Sequence, residues 1–255
     1  MKIFRWLAVS LSMYSRIPMP HFEWKEDDMG HSLMFFPLVG VIIGGLTVLL
    51  NSLDIICELP LFVKTVITVL IPIIITGGFH LDGYMDTQDA LSSFADSEKK
   101  LEILKDPHIG AFAVIGLVTQ ILIMIAGVGM ILDSENYSIL IIFSLIFVIS
   151  RSLSGITSIV FTKAKKDGML SNETNGNMKS VTVALVIWLV LALVLMILTD
   201  VLIAAAVIIA FTIFTVYYRY MTLKHFKGVS GDTAGYFVTV SQSLASVILA
   251  LITLL

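Results

Sequence analysis

TGGFHLDGYMDTQDALSSFADSEKKLEILKDPHIG, from Thr76 to Gly110, is a polar, acidic island between long apolar runs, and it holds two of the chain's five histidines, His80 and His108. Asp82, Asp86 and Asp89 stand at i, i+4 and i+7. If the segment is helical, that spacing puts three carboxylates on one stripe. Like charges on one stripe repel, so the pattern costs stability unless a cation sits among them. On a soluble helix the stripe would ordinarily be a solvated face. In a chain as apolar as this one, a hard divalent cation, Mg2+ or Mn2+, is the simpler expectation, because it prefers carboxylate oxygens.

The rest of the sequence supplies that apolar setting. Of 255 residues, 57% are hydrophobic and 14% charged, with a mean hydropathy of +0.97. Soluble domains run at about half apolar and about a quarter charged. The composition therefore points to a polytopic membrane protein. A net charge of -3 argues against nucleic-acid binding. The single cysteine, Cys57, excludes an internal disulfide and a Cys-rich metal site.

Seven apolar segments follow the N-terminal region: His31–Leu53, Leu61–Phe79, Ile109–Leu132, Ser138–Phe161, Val181–Thr199, Val201–Tyr218 and Gly235–Leu255. Each is near the roughly 20 residues a helix needs to cross the hydrocarbon core. They are too long and unalternating for barrel strands, so the expected fold is all-α: a membrane bundle of about seven helices. MKIFRWLAVSLSM, Met1 to Met13, is too short to span. Arg5 interrupts it and no small-residue cleavage site follows, so it reads as an interfacial helix with Trp6 at headgroup depth. SRIPMP, Ser15 to Pro20, breaks the helix after it.

Lysine and arginine collect before the first span and in every second connection thereafter: Lys99, Lys100 and Lys105; Lys163, Lys165, Lys166 and Lys179; Arg219, Lys224 and Lys227. The positive-inside rule then places the N-terminus in the cytoplasm and the C-terminus outside. The chain reads as one integral membrane domain, residues 1–255, in contact with lipid. Residues 76–110 form its cytoplasmic active-site segment.

Four further features carry candidate chemistry. Asp106, four residues after Glu102, is a candidate fourth metal ligand, if antiparallel helices return it toward Asp82; Lys105 beside it is a candidate phosphate contact, whereas Lys99 and Lys100 read as headgroup anchors. Arg151 stands about ten residues inside the fourth span, roughly 15 Å along the helix. A charge at that depth costs at least ~2.5 kcal/mol without a partner or a wet cavity. It reads either as an internal ion pair with an aspartate or as a phosphate receptor. FKGVSGDTAGY, Phe226 to Tyr236, offers Gly231 and Gly235 for close backbone approach to a ligand, and Asp232 as a carboxylate or as a cap for the last helix. His80, two residues before Asp82, is a secondary candidate, as is Arg16.

These same residues resemble a known family, the cobalamin synthases, or adenosylcobinamide-GDP ribazoletransferases. SRIPMP is similar to the family's T-R-I/L-P-x-P, and FPLVG, Phe36 to Gly40, to its F-P-L-I/V-G. TGGFHLDGYMDTQDA is similar to G-G-x-H-L-D-G-x-x-D-T-x-D-G. LEILKDPHIG, Ser150-Arg151 and SGDTAG also have counterparts, all in the same order and over nearly the whole chain. Ala90 replaces a glycine, His108 an arginine and Ala234 a leucine; no carboxylate is lost.

The resemblance implies a transferase of the prokaryotic cytoplasmic membrane that joins adenosylcobinamide-GDP to α-ribazole or its 5′-phosphate and releases GMP, with Mg2+ required. It implies catalytic Asp82, Asp86, Asp89 and Asp232, with Asp106 joining the first three as metal ligands. Substrate contacts would come from Arg16, His80, Lys105, Arg151, Gly231 and Gly235. The family is itself distantly like CDP-alcohol phosphotransferases. A divalent-cation transporter, a lipid head-group transferase and a structural scaffold remain alternatives at this point, and a homo-oligomer stays open. A transporter would more usually place its acids at midplane between repeated halves, and no repeat is visible.

Overall fold

Long apolar runs have only one way to satisfy their backbone groups locally, and the computed structural model, which describes residues 2–164, 170, 174 and 178–255, is helical accordingly. Lys165 and Lys166 lie outside the described residues. The helices are α1 (Lys2–Tyr14), α2 (Glu26–Ser32), α3 (Phe36–Asn51), α4 (Asp54–Cys57), α5 (Leu61–Thr76), α6 (Phe79–Ser92), α7 (Ser97–Ile103), α8 (Ala111–Asp133), α9 (Tyr137–Val160), α10 (Met178–Thr199), α11 (Val201–Phe226) and α12 (Gly231–Ile252). Strand-like pairing among the described residues is limited to a single parallel bridge between Lys163 and Val229.

Six segments are long and apolar enough to span: Asp27–Asn51, through α2 and α3, and helices α8 to α12. The expected seventh, Leu61–Phe79, stops at Thr76. Its 16 residues reach about 24 Å, and the chain then bends by 93° into α6. Gly77 (φ 65°) and Gly78 (φ 81°) make the corner, both in the left-handed region that side chains resist.

Polar caps punctuate the bundle where the apolar runs meet. Asn136 Oδ1 accepts from the Ser138 and Ile139 amides at the start of α9. Asp200 Oδ1 accepts from Leu202 and Ile203, so one residue suffices to end α10 and begin α11. Ser230 and Thr233 form a reciprocal capping box at α12, with Thr233 N donating to Ser230 Oγ and Ser230 N to Thr233 Oγ1. That box starts α12 four residues earlier than the hydropathy suggests and turns Asp232 into a first-turn residue.

Helix α9 is the hub, enclosed by α3, α10 and α12. The α3 contact is tight because Gly40 and Gly44 lie one turn apart: a Cβ at either would collide with the α9 backbone at Phe147 or Ser144. Gly45, next to Gly44 in sequence, faces open space. Helix α1 is not free on the lipid surface. It buries Ala8, Val9, Leu11 and Met13, while Trp6 stacks on His31 at 4.2 Å and Arg5 pairs with Asp28 at 2.5 Å. Ile3 and Phe4 alone keep a large apolar exposure there.

Gly40→Val is expected to destabilise the fold by about 1–3 kcal/mol or more, since α9 backbone cannot retreat. Gly45→Val is expected to stay within about 0.5 kcal/mol. Thermal unfolding of both variants in detergent checks the difference.

Candidate active site

Helix α6 divides cleanly by face. His80, Gly83, Tyr84, Thr87 and Ala90 are buried against α12 and α8. The other stripe carries Asp82, exposed, and Asp86 and Asp89, half-buried. The expected row of carboxylates therefore exists, on a helix that crosses the end of the bundle.

What seats this helix is a close crossing with α12. A Cβ on Gly83 would lie 2.8 Å from the Asp232 carbonyl oxygen, and one on Gly235 would lie 3.0 Å from the His80 carbonyl oxygen and 3.3 Å from Gly83 Cα. Thr239 Oγ1 donates to the His80 carbonyl at 3.2 Å, and Tyr84 stacks on Tyr236 at 5.6 Å. Gly235 thus serves helix packing, and it also lines a small cavity with His80 and Gly231. Among the described residues nothing lies near the missing Cβ of Gly231.

The crossing carries Asp232 to the acidic stripe. Asp86 stands within electrostatic reach of Asp82, Asp232 and Asp89. No Lys, Arg or His among the described residues pairs with Asp82, Asp86 or Asp89. Four hard oxygen donors with no basic partner for the α6 three suit Mg2+ or Mn2+ by chemistry. Among the described residues, however, no three His, Cys, Asp or Glu side chains converge on one metal-sized point in this arrangement.

Asp106 does not join them. Helix α7 ends at Ile103, before Pro107 can act, and Asp106 turns in an exposed loop toward His108, whose amide donates at 3.0 Å and whose Nδ1 lies at 2.6 Å. The His108 amide and imidazole hold the Asp106 carboxyl below its usual range. Asp89 instead lies against Gly110, where any Cβ would strike its carboxylate. This glycine stands at the N-cap of α8.

The basic candidates scatter around the acids. Arg16 is exposed; its amide donates to the Ile75 carbonyl at 2.7 Å and its side chain covers Gly77. With Gly78, Phe79, Asp82 and Met85 it lines an open pocket of about 550 Å³, a volume typical of small-molecule sites. Lys105 is exposed. Lys100 is not a headgroup anchor: it is buried, with Nζ 3.2 Å from His225 Nδ1, and burial followed by the charge of Lys224 lowers its pKa.

Arg151 makes no ion pair among the described residues, contrary to one of its two sequence readings. It is 1% exposed, donates from Nη1 to the Phe147 carbonyl at 3.0 Å and sits 5.8 Å from the Phe36 ring centre. Around it, Gln120, Thr239, Gln242 and Ser243 were not anticipated. Their signal was present: Thr239, Gln242, Ser243 and Ser246 are polar at helical spacing inside an apolar span.

Fold and site together define a multi-pass membrane helical bundle with a carboxylate-lined mouth. The chain belongs to the cobalamin-5-phosphate synthase family, whose model matches residues 6–250. It is similar to proteins named adenosylcobinamide-GDP ribazoletransferase. That of Lachnoclostridium phytofermentans is 35% identical over 246 residues, covering 96% of this chain and 93% of that one. One from Clostridium botulinum is 34% identical, covering 94% of each chain. One from Clostridium perfringens is 31% identical, covering 99% of this chain and 100% of that one. No solved structure matches the chain.

Gly83→Ala is expected to cost about 1–3 kcal/mol, because its new methyl meets Asp232 backbone, and to lower activity by pushing Asp232 from the stripe. Gly231→Ala is expected to leave stability within about 0.5 kcal/mol. Parallel melting curves and turnover measurements separate the two.

Proposed function

We propose that this protein transfers the adenosylcobinamide phosphate group from adenosylcobinamide-GDP to a ribose hydroxyl of α-ribazole, or of α-ribazole 5′-phosphate. The products are adenosylcobalamin, or its 5′-phosphate, and GMP, completing nucleotide-loop assembly. Family membership supports the reaction. The observation that carries it to particular residues is the α6–α12 crossing, which brings Asp232 within electrostatic reach of Asp86 on the stripe that also carries Asp82 and Asp89.

In this reading the ribose hydroxyl attacks the phosphorus that bears cobinamide. The new oxygen–phosphorus bond forms as the bond to the GMP oxygen breaks. The chain's task is to place the two substrates in line and to balance charge on phosphoryl oxygens. Asp82, Asp86 and Asp89 would hold one or two divalent ions, which supply Lewis-acid stabilisation of the diphosphate when bound. Asp106 would join only after leaving His108. Asp232 or Asp89 would take the hydroxyl proton. Arg16, from the pocket it shares with Asp82, and Lys105 would meet phosphate oxygens from the open side, while the bare backbone at Gly231 leaves room for substrate. The acidic mouth would face the cytoplasm of a prokaryotic cell, as the distribution of lysine and arginine suggests.

Asp82→Asn and Asp86→Asn are each expected to cut GMP release by more than the roughly 100-fold that an outer-shell partner of a metal site commands, while the protein still folds in membranes. The assay uses purified protein with adenosylcobinamide-GDP, α-ribazole and Mg2+, and chelation is expected to stop it reversibly. Near-normal GMP release from either variant defeats the assignment.

A further inference from the structure

A guanidinium inside a membrane bundle needs compensation, and Arg151 has very little. Of its five N–H donors, one reaches the Phe147 carbonyl, and Nε is buried without any partner. His80, 7% exposed, is in the same condition at Nε2. Its ring lies 5.4 Å from that of Phe36, the ring over which Arg151 sits.

Both side chains line one cavity of about 60 Å³, together with Gln120, Thr239, Gln242 and Ser243. Those four are already engaged. Gln120 Nε2 donates to the Thr239 carbonyl and to Ser243 Oγ. Gln242 Nε2 donates to Ser150 Oγ at 2.9 Å, Thr239 Oγ1 to the His80 carbonyl, and Ser243 Oγ to the Thr239 carbonyl. The walls thus satisfy one another and leave unspent bonding capacity at Arg151 and His80. Among the described residues no carboxylate lines the cavity. A buried charge persists only when it is paired or solvated. The space is ample for water, but water brings no countercharge, whereas a small anion brings both charge and acceptors. The flat, paired donors of a guanidinium match a tetrahedral oxyanion better than a spherical halide.

We infer that the Arg151–His80 cavity is a phosphoryl-anion seat, separate from the carboxylates of α6 and reached from inside the bundle. Under the ribazoletransferase reading, on which only this last identification rests, the working occupant is a phosphoryl group of the diphosphate substrate. The bundle then meets that substrate with metal at its outer side and Arg151 at its inner side.

The test is thermal unfolding of the full chain in a nonionic detergent, without divalent cations, against rising inorganic phosphate. Wild type is expected to show saturable stabilisation. Arg151→Gln is expected to bind phosphate about 10- to 100-fold more weakly, the worth of one or two hydrogen bonds to a charged group. In case that variant misfolds, Gln242→Glu provides an internal carboxylate: it is expected to fold, to melt higher than wild type without phosphate, and to lose the phosphate response. Asp86→Asn is expected to keep the response. Loss of transfer with the response intact therefore counts against the proposed function alone. No response in wild type, an equal response to chloride, a response kept in both Arg151→Gln and Gln242→Glu, or stabilisation by added phosphatidylglycerol but not by inorganic phosphate overturns the inference.

Discussion

Backbone-to-backbone contact between α6 and α12 is the constraint on which the acidic mouth depends. Gly83 and Gly235 let two helices meet with almost nothing between them. Without that approach, Asp232 would stand a side chain's width further from the stripe. Lipid gives helices no hydrophobic reason to associate, so close van der Waals contact between small residues does much of the holding. The same device recurs at Gly40 and Gly44 on α3, which fasten α9, and at Gly127 against Ser246 between α8 and α12. The chain thus uses one kind of contact both to close the bundle and to build its polar end.

The elbow at Gly77 and Gly78 complements this crossing. A straight continuation of α5 would have carried Asp82, Asp86 and Asp89 along the bundle axis. The 93° bend lays α6 across the bundle end instead, with its small and aromatic face inward and its carboxylates along the rim. Arg16 closes over the corner and brings the N-terminal segment to the same pocket as Asp82. One glycine turn therefore sets the angle of the acids, their exposure and the position of a candidate cation, Arg16.

Charge is separated across this end of the molecule. The acids gather toward the open side, while Arg151 lies enclosed behind Phe36 and His80. A salt bridge between the two would have cancelled both. Keeping them apart costs stability on each side and leaves each able to receive an ion of the opposite sign. Under the proposed reaction, a diphosphate joined to metal would offer both signs.

Much of this was legible in residues alone. Apolar run length dictates helices wherever lipid denies the backbone other partners, and the i, i+4, i+7 aspartates need only helical periodicity to share a face. The extra turn at the start of α12, the short reach of α5, the diversion of Asp106 to His108 and the burial of Lys100 were not legible, because each depends on a cap, a corner or a neighbour far along the chain. Sequence by itself determined the all-helical membrane class, the acidic stripe and the family motifs, since those follow from local composition and spacing. Tertiary structure alone decided that Gly235 packs against α6, that Arg151 lines a cavity and, among the described residues, has no ion pair, and that Asp232 meets α6. Those outcomes turn on which surfaces approach within a few ångströms, and spacing along a chain does not specify that.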